Sequence, residues 1–212
     1  MGDVHIGFVL DMSGSMAAIE KATREGAVEW LRKQKKETPN ALLSVTVFDT
    51  IFERWLEGVP IKDVKVATTL SEWKPRGGTA LYDALGSTID RMKADVKKGD
   101  KAIVVVMTDG EENSSTKWDR KRVNTIINAM TKRGNWTFIY LGANVDAWAE
   151  ASALGIPRGS TMSYSATAGS TMRATGGLAS SVSKLATANY ASTQTVFGDA
   201  GVEQDVRDED DK

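Results

Sequence analysis

Cysteine is absent from the 212 residues. Its absence excludes disulfides, thiolate nucleophiles and cysteine-held metals together, and is compatible with any compartment. Histidine occurs once, as His5. It stands at the start of an apolar segment whose far end lies about six residues on, at ~3.3 Å each, so it cannot serve a group at that end as a base. A structural or surface role is expected for it. No apolar run approaches the ~20 residues of a membrane span. No secretory signal pattern precedes the first apolar segment, which makes the cytoplasm the expected compartment. Gly2 could suggest myristoylation, but it leads directly into that segment, and the reading is set aside. Neither charge sign prevails: 27 Lys and Arg face 28 Asp and Glu, for a net charge of −1. That balance excludes a dedicated nucleic-acid binder. A Gly-x-x-x-x-Gly-Lys loop is missing, and with it the usual cradle for ATP phosphates.

What remains is a chain with 41% hydrophobic and 26% charged residues, the composition of a globular domain. Residues 1–198 are expected to form one domain. Residues 199–212, carrying Glu203, Asp205, Asp208, Glu209, Asp210 and Asp211, are expected to be a flexible acidic tail.

Hydrophobic periodicity divides the domain into alternating elements. Residues 4–10 read as a buried strand. A helix over 17–36 follows, with Met16, Ile19, Thr23, Ala27, Trp30 and Leu31 on one face. Strands are expected at 42–48 and 51–56. The two-residue link between them, Asp49-Thr50, demands an antiparallel hairpin. Glu53 and Arg54 place the second strand at a sheet edge. Residues 58–76 read as loop. A helix over 80–97 buries Leu81, Ala84, Leu85, Thr88, Ile89, Met92 and Val96. The unbroken apolar run 102–107 is expected to be a strand covered on both faces. A helix over 116–132, a strand over 136–141, a short helix over 145–154, an edge strand over 161–165 and a last helix over 169–191 complete the pattern. Gly176 and Gly177 weaken the last of these. The result is a doubly wound, mostly parallel six-stranded α/β sheet with one antiparallel edge strand and helices on both faces.

The chemistry gathers where strands end. Asp11-Met12-Ser13-Gly14-Ser15 is a strand-to-helix turn directly after the first strand. Thr79 stands in a Gly-Gly loop before a helix, and Asp109 closes the most buried strand. In an open α/β sheet these turns meet at the carboxyl edge, near the point where strand order reverses. Two carboxylates and three hydroxyls form a hard, all-oxygen donor set, suited to Mg²⁺ or Mn²⁺ more than to zinc.

This constellation resembles the metal-ion-dependent adhesion site (MIDAS) of von Willebrand factor A (VWA) domains. That motif is Asp-x-Ser-x-Ser followed by a distant Thr and a distant Asp. All five positions match: Asp11, Ser13 and Ser15, then Thr79 in Gly-Gly-Thr-Ala-Leu-Tyr-Asp-Ala, then Asp109 in Val-Val-Met-Thr-Asp-Gly. The likeness covers residues 3 to about 165 and is nearest to the stand-alone bacterial or phage type. It implies a VWA, Rossmann-like fold in which the hydroxyls of Ser13, Ser15 and Thr79 touch Mg²⁺ (or Mn²⁺ or Ca²⁺). Asp11 and Asp109 would hold the ion directly or through water. The implied function is metal-dependent capture of an Asp or Glu of a protein partner, not turnover. Relatives of this type often work beside AAA ATPases.

Blander readings compete. Asp11, Ser13 and Ser15 could each be a helix cap, and Thr79 and Asp109 a cap and a turn residue; only the whole set favours a metal. Glu111, Glu112 and Asp83 are read as solvated or supporting groups. Trp73 and Trp118 are candidates for a binding rim. The alternative function is assembly, possibly phage-related, with self-association through sheet edges or through the acidic tail. A metal-assisted hydrolase is the weakest reading, since no base or second metal cluster accompanies Ser13.

Overall fold

The computed structural model of the chain describes residues 2–143, 146–188, 196, 197, 205 and 206. Its centre is a sheet in the order β3-β2-β1-β4-β5-β6-β7. The strands are β1 (Val4–Asp11), β2 (Leu42–Phe48), β3 (Phe52–Pro60), β4 (Lys101–Thr108), β5 (Trp136–Ala143), β6 (Thr161–Tyr164) and β7 (Asp205–Val206). The six expected strands are present and parallel, except that β3 pairs antiparallel with β2 at the sheet edge. The helices are α1 (Glu20–Glu37), α2 (Val66–Thr69), α3 (Leu81–Asp95), α4 (Arg120–Thr131), α5 (Ala147–Ala153) and α6 (Ala168–Thr187).

Alternation along β1 builds two cores. Ile6, Phe8 and Leu10 join Trp30 and Leu31 of α1 and Leu178 and Val182 of α6 on one face. Phe8 stacks on Trp30 with ring centroids 4.6 Å apart. Val9 joins Leu85 and Ile89 of α3 and Val123 and Ile127 of α4 on the other. The strands β1, β4 and β5 are buried on both sides, as their continuous apolar runs require.

Several boundaries differ from expectation. The first helix is preceded by a 3-10 turn, Gly14–Ile19, and becomes α-helical only at Glu20. The third strand runs on to Pro60, and the supposed loop 58–76 also contains a 3-10 turn (Ile61–Asp63) and α2. The helix expected from residue 116 begins at Arg120, where Asp119 accepts a hydrogen bond from the Arg122 N–H as its cap. Helix α6 carries Gly176 and Gly177 inside it and ends at Thr187; residues 189–191 of the expected helix lie outside the described residues. Small residues are its means of packing. Ala174, Thr175 and Ala179 are buried, and Gln34 of α1 donates to the Ala179 carbonyl at 2.9 Å. Strand β6 is not an edge, because Asp205 and Val206 pair with Ser163 and Tyr164. That two-residue strand brings part of the expected tail onto the sheet; residues 199–204 and 207–212 lie outside the described residues. Among the described residues no helix is long and apolar enough to cross a membrane.

Candidate metal centre

Strand order reverses between β1 and β4, and the register Leu10↔Met107 sets Asp11 beside Thr108 at the carboxyl edge. Two turns leave the sheet there, as the reversal of an open α/β sheet requires.

Asp11 is fully buried. Its Oδ1 accepts the Ser13 N–H at 2.6 Å and its Oδ2 accepts the Thr108 hydroxyl at 2.5 Å. The indole N–H of Trp73 donates to the Asp11 carbonyl at 3.1 Å. The turn that follows is sewn to the Gly77 loop: Gly14 N donates to the Gly77 carbonyl, and Arg76 N donates to the Met12 carbonyl. Gly77 has φ +67, a conformation that glycine adopts without strain. This docking carries Thr79 to the site. The Thr79 N–H donates to Asn113 Oδ1 at 2.9 Å, and its carbonyl accepts from Asn113 N and Ser114 N.

The polar side chains converge. Ser13 Oγ and Ser15 Oγ are 3.0 Å apart, and the Ser15 hydroxyl donates to Asp109 Oδ1 at 2.6 Å. A Cβ added to Gly110 would lie 3.1 Å from Thr79 Oγ1, 3.3 Å from Ser15 Oγ and 3.6 Å from Ser13 Oγ. Three hydroxyl oxygens, two from the turn after β1 and one from the loop before α3, therefore border one small space, which only a glycine at position 110 leaves free. All five residues singled out in the sequence meet here.

Burial sets the electrostatics. It pushes the Asp11 carboxyl up to about 6, against the hydrogen bonds from Thr108 and Ser13, with a small addition from the charge of Asp109. Burial also raises Asp109, opposed by the Ser15 hydroxyl. A divalent cation in the space between them would favour both ionised forms. The donor set fits such an ion: hard oxygens, two of them anionic, and no nitrogen or sulfur. Ser13, Ser15 and Thr79 can offer hydroxyls, and Asp11 and Asp109 carboxylates.

Other expectations resolve differently. Trp73 is fully buried and supports Asp11, so it forms no part of a rim. Trp118 is half-buried, with the Arg122 guanidinium 3.8 Å above its ring. For Asp83 and Glu112 the supporting role, one of the two expected, is the one found. Asp83 accepts from the N–H groups of Thr116, Lys117 and Trp118, and Glu112 from those of Tyr82, Ser114 and Ser115. Together they pin the loop after Asp109 to the start of α3. Glu111 is exposed. Two supporting residues went unnoticed in the sequence, Thr108 and Asn113, and Trp73 was assigned to a rim rather than to support. Thr108 carried a signal, since it directly precedes Asp109 on a strand that pairs with the one ending in Asp11.

Comparison with known proteins follows the same lines. The sequence model described as von Willebrand factor type A domain matches residues 6–112. No curated protein sequence matches the chain. Similar solved structures include a D319A mutant of the PilB minor pilin from Streptococcus sanguinis (TM-score 0.64, 11% identity, 87% of this chain and 62% of that one). Proximal thread matrix protein 1 from the mussel byssus, whose structure has a zinc-occupied MIDAS motif, aligns with TM-score 0.64 and 14% identity over 84% of this chain and 45% of that one. A von Willebrand factor type A protein from Catenulispora acidiphila aligns with TM-score 0.60 and 16% identity over 84% and 42%. This chain thus spans less than two thirds of each, and at these identities the likeness concerns the fold. With half of its length matched by the family's sequence model, and with the sheet order and strand-end turns described above, the chain belongs to the von Willebrand factor type A domain family.

Proposed function

We propose that this chain is a divalent-metal-dependent protein-binding module, not an enzyme, and that its metal centre captures an acidic side chain of a partner. The observation that carries the reading is the space beside Gly110, bordered by the hydroxyls of Thr79, Ser15 and Ser13 with Asp109 and Asp11 behind them. Mg²⁺ is the favoured ion, with Mn²⁺ and Ca²⁺ as alternatives. Three neutral hydroxyls withdraw little of its charge, so the ion keeps its appetite for one more anionic oxygen from outside. Turnover is disfavoured because the sole histidine lies at the opposite end of β1, leaving Ser13 without a base. The exposed Ile51, at the tip of the β2–β3 turn, gives a partner an apolar foothold; Asp49 in the same turn accepts the Ala80 N–H beside Thr79. An AAA ATPase or another copy of this chain are the partner classes to try first.

Calorimetry with Mg²⁺, Mn²⁺ and Ca²⁺ tests the centre: wild type should bind one ion there and Asp11→Ala none. Partner capture should then fail in EDTA; affinity unchanged by EDTA would sink the reading. Phosphoester turnover lost in Asp109→Ala would instead favour a hydrolase. Assembly stays a second reading because β3 has no strand on its outer side among the described residues, while Asp205–Val206 covers the other edge. Under that reading, deletion of residues 203–212 lowers the oligomeric mass measured by light scattering, and an unchanged mass counts against it.

A further inference from the structure

The end of β1 away from the hydroxyl-lined centre holds a different donor set. The register Val4↔Lys101 and His5↔Ala102 aligns the start of β1 with the turn that leads into β4. Asp3 and Asp100 are thereby neighbours, and the Asp3 N–H donates to Asp100 Oδ1 at 3.0 Å. The Lys97 N–H donates to Asp100 Oδ2 at 2.8 Å. Asp100 is thus a fixed, buried carboxylate with lone pairs to spare, since each of its oxygens can accept twice.

His5 faces it. The imidazole is 8% exposed and forms an ion pair with Asp100, its Nε2 3.4 Å from Asp100 Oδ2, yet among the described residues that nitrogen makes no hydrogen bond. A buried imidazole nitrogen without a hydrogen bond demands an explanation. The distance suggests one. Two ligands bound at ~2.0–2.2 Å to a tetrahedral zinc ion are separated by about 3.4 Å. The carboxylate of Asp3, exposed and free to adjust, offers a third atom; the three lie within 4.8 Å of one another.

We propose that Asp3, His5 and Asp100 bind a divalent transition-metal ion, zinc in first place, at the end of the sheet opposite the all-oxygen centre. Imidazole nitrogen with two carboxylates selects Zn²⁺, Co²⁺ or Ni²⁺ over Mg²⁺, whereas the hydroxyl-lined centre has the reverse chemistry. Three protein ligands leave the fourth tetrahedral position to water or to an outside donor. Such an ion joins the segment before β1 to the turn before β4.

The single histidine makes the test direct, because the imidazole region of a long-range ¹H–¹⁵N spectrum contains one residue's signals. Zn²⁺ added to the full chain in excess Mg²⁺ should move the His5 nitrogen signals and saturate at one equivalent of zinc for that signal; Mg²⁺ alone should leave them unmoved. Asp3→Asn, at an exposed position and with its backbone hydrogen bonds kept, should weaken the His5 response on the order of tenfold or more. Gly110→Ala, which crowds the other centre, should leave the response intact. A His5 signal indifferent to Zn²⁺ overturns the proposal. So does an Asp3→Asn titration that matches wild type, or a response that disappears with Gly110→Ala.

Discussion

One missing methyl group keeps the candidate centre open. Alanine at position 110 would put its Cβ 3.1 Å from Thr79 Oγ1 and 3.3 Å from Ser15 Oγ, in the space that the ion would use. No positive φ is involved at this position, so Gly110→Ala should change stability by less than about 1 kcal/mol. Divalent-ion binding should nevertheless weaken on the order of a hundredfold, which calorimetry with Mg²⁺ reads directly. Trp73 tests the opposite case, a residue that supports without ligating. Trp73→Phe keeps most of the buried ring but leaves the Asp11 carbonyl without the indole N–H. A loss of about 1–3 kcal/mol in urea denaturation is expected from the orphaned carbonyl, with a smaller effect on ion affinity than Gly110→Ala.

At the scale of elements, the loop after Asp109 is shaped by charges carried on another segment. Asp83, in the first turn of α3, accepts three successive N–H groups at 2.7 to 3.0 Å. Asp83→Ala strips all three of their partner and should cost about 3 kcal/mol of stability. It should also loosen Asp109 and Asn113, and so weaken Mg²⁺ binding; unchanged ion affinity at reduced stability would show that the loop holds its shape without this anchor. The same contacts explain what the sequence could and could not reveal. Strands β1, β4 and β5 announce themselves because burial on both faces makes their runs almost wholly apolar. Asp11, Ser13, Ser15 and Asp109 were legible because they stand at or just after the end of such a strand, and Thr79 because its Gly-Gly loop directly precedes a helix. The late start of α4 was hidden, since residues 111–118 are held out of a helix by Asp83 and Glu112 rather than by any local signal. Helix α2 is one four-residue turn with no buried residue, and β7 is two residues long, so neither has a periodicity to read. Trp73 acts across 62 residues of chain from a segment with no readable periodicity, beyond the reach of any spacing rule, whereas Thr108, 97 residues from Asp11, could be placed only through strand pairing.

For the whole molecule, the buried carboxyl of Asp11 couples stability to pH and to metal in opposite directions. Without metal, burial pushes it up to about 6 in the folded chain, from an ordinary value of 3.8. Between those values the folded protein holds more protons than the unfolded chain, so this group's contribution to stability is full below about pH 4 and is lost as pH rises through about 6. The gap corresponds to about 3 kcal/mol. Asp109, raised by burial too, acts in the same sense. A bound cation reverses the sign, because it requires the ionised carboxylates and expels their protons. At a hundred times its dissociation constant Mg²⁺ adds about 2.7 kcal/mol, and that increment should fade as pH drops below about 6. Urea denaturation at about pH 5 and about pH 7.5, with and without Mg²⁺, separates the two effects when wild type is compared with Asp11→Asn. Metal-free wild type should lose stability relative to the variant as pH rises, and the Mg²⁺ increment should appear only in wild type and only at the higher pH. Parallel curves for the two proteins, or equal stabilisation by Mg²⁺ at both pH values, would mean that Asp11 is not the group through which proton and metal compete.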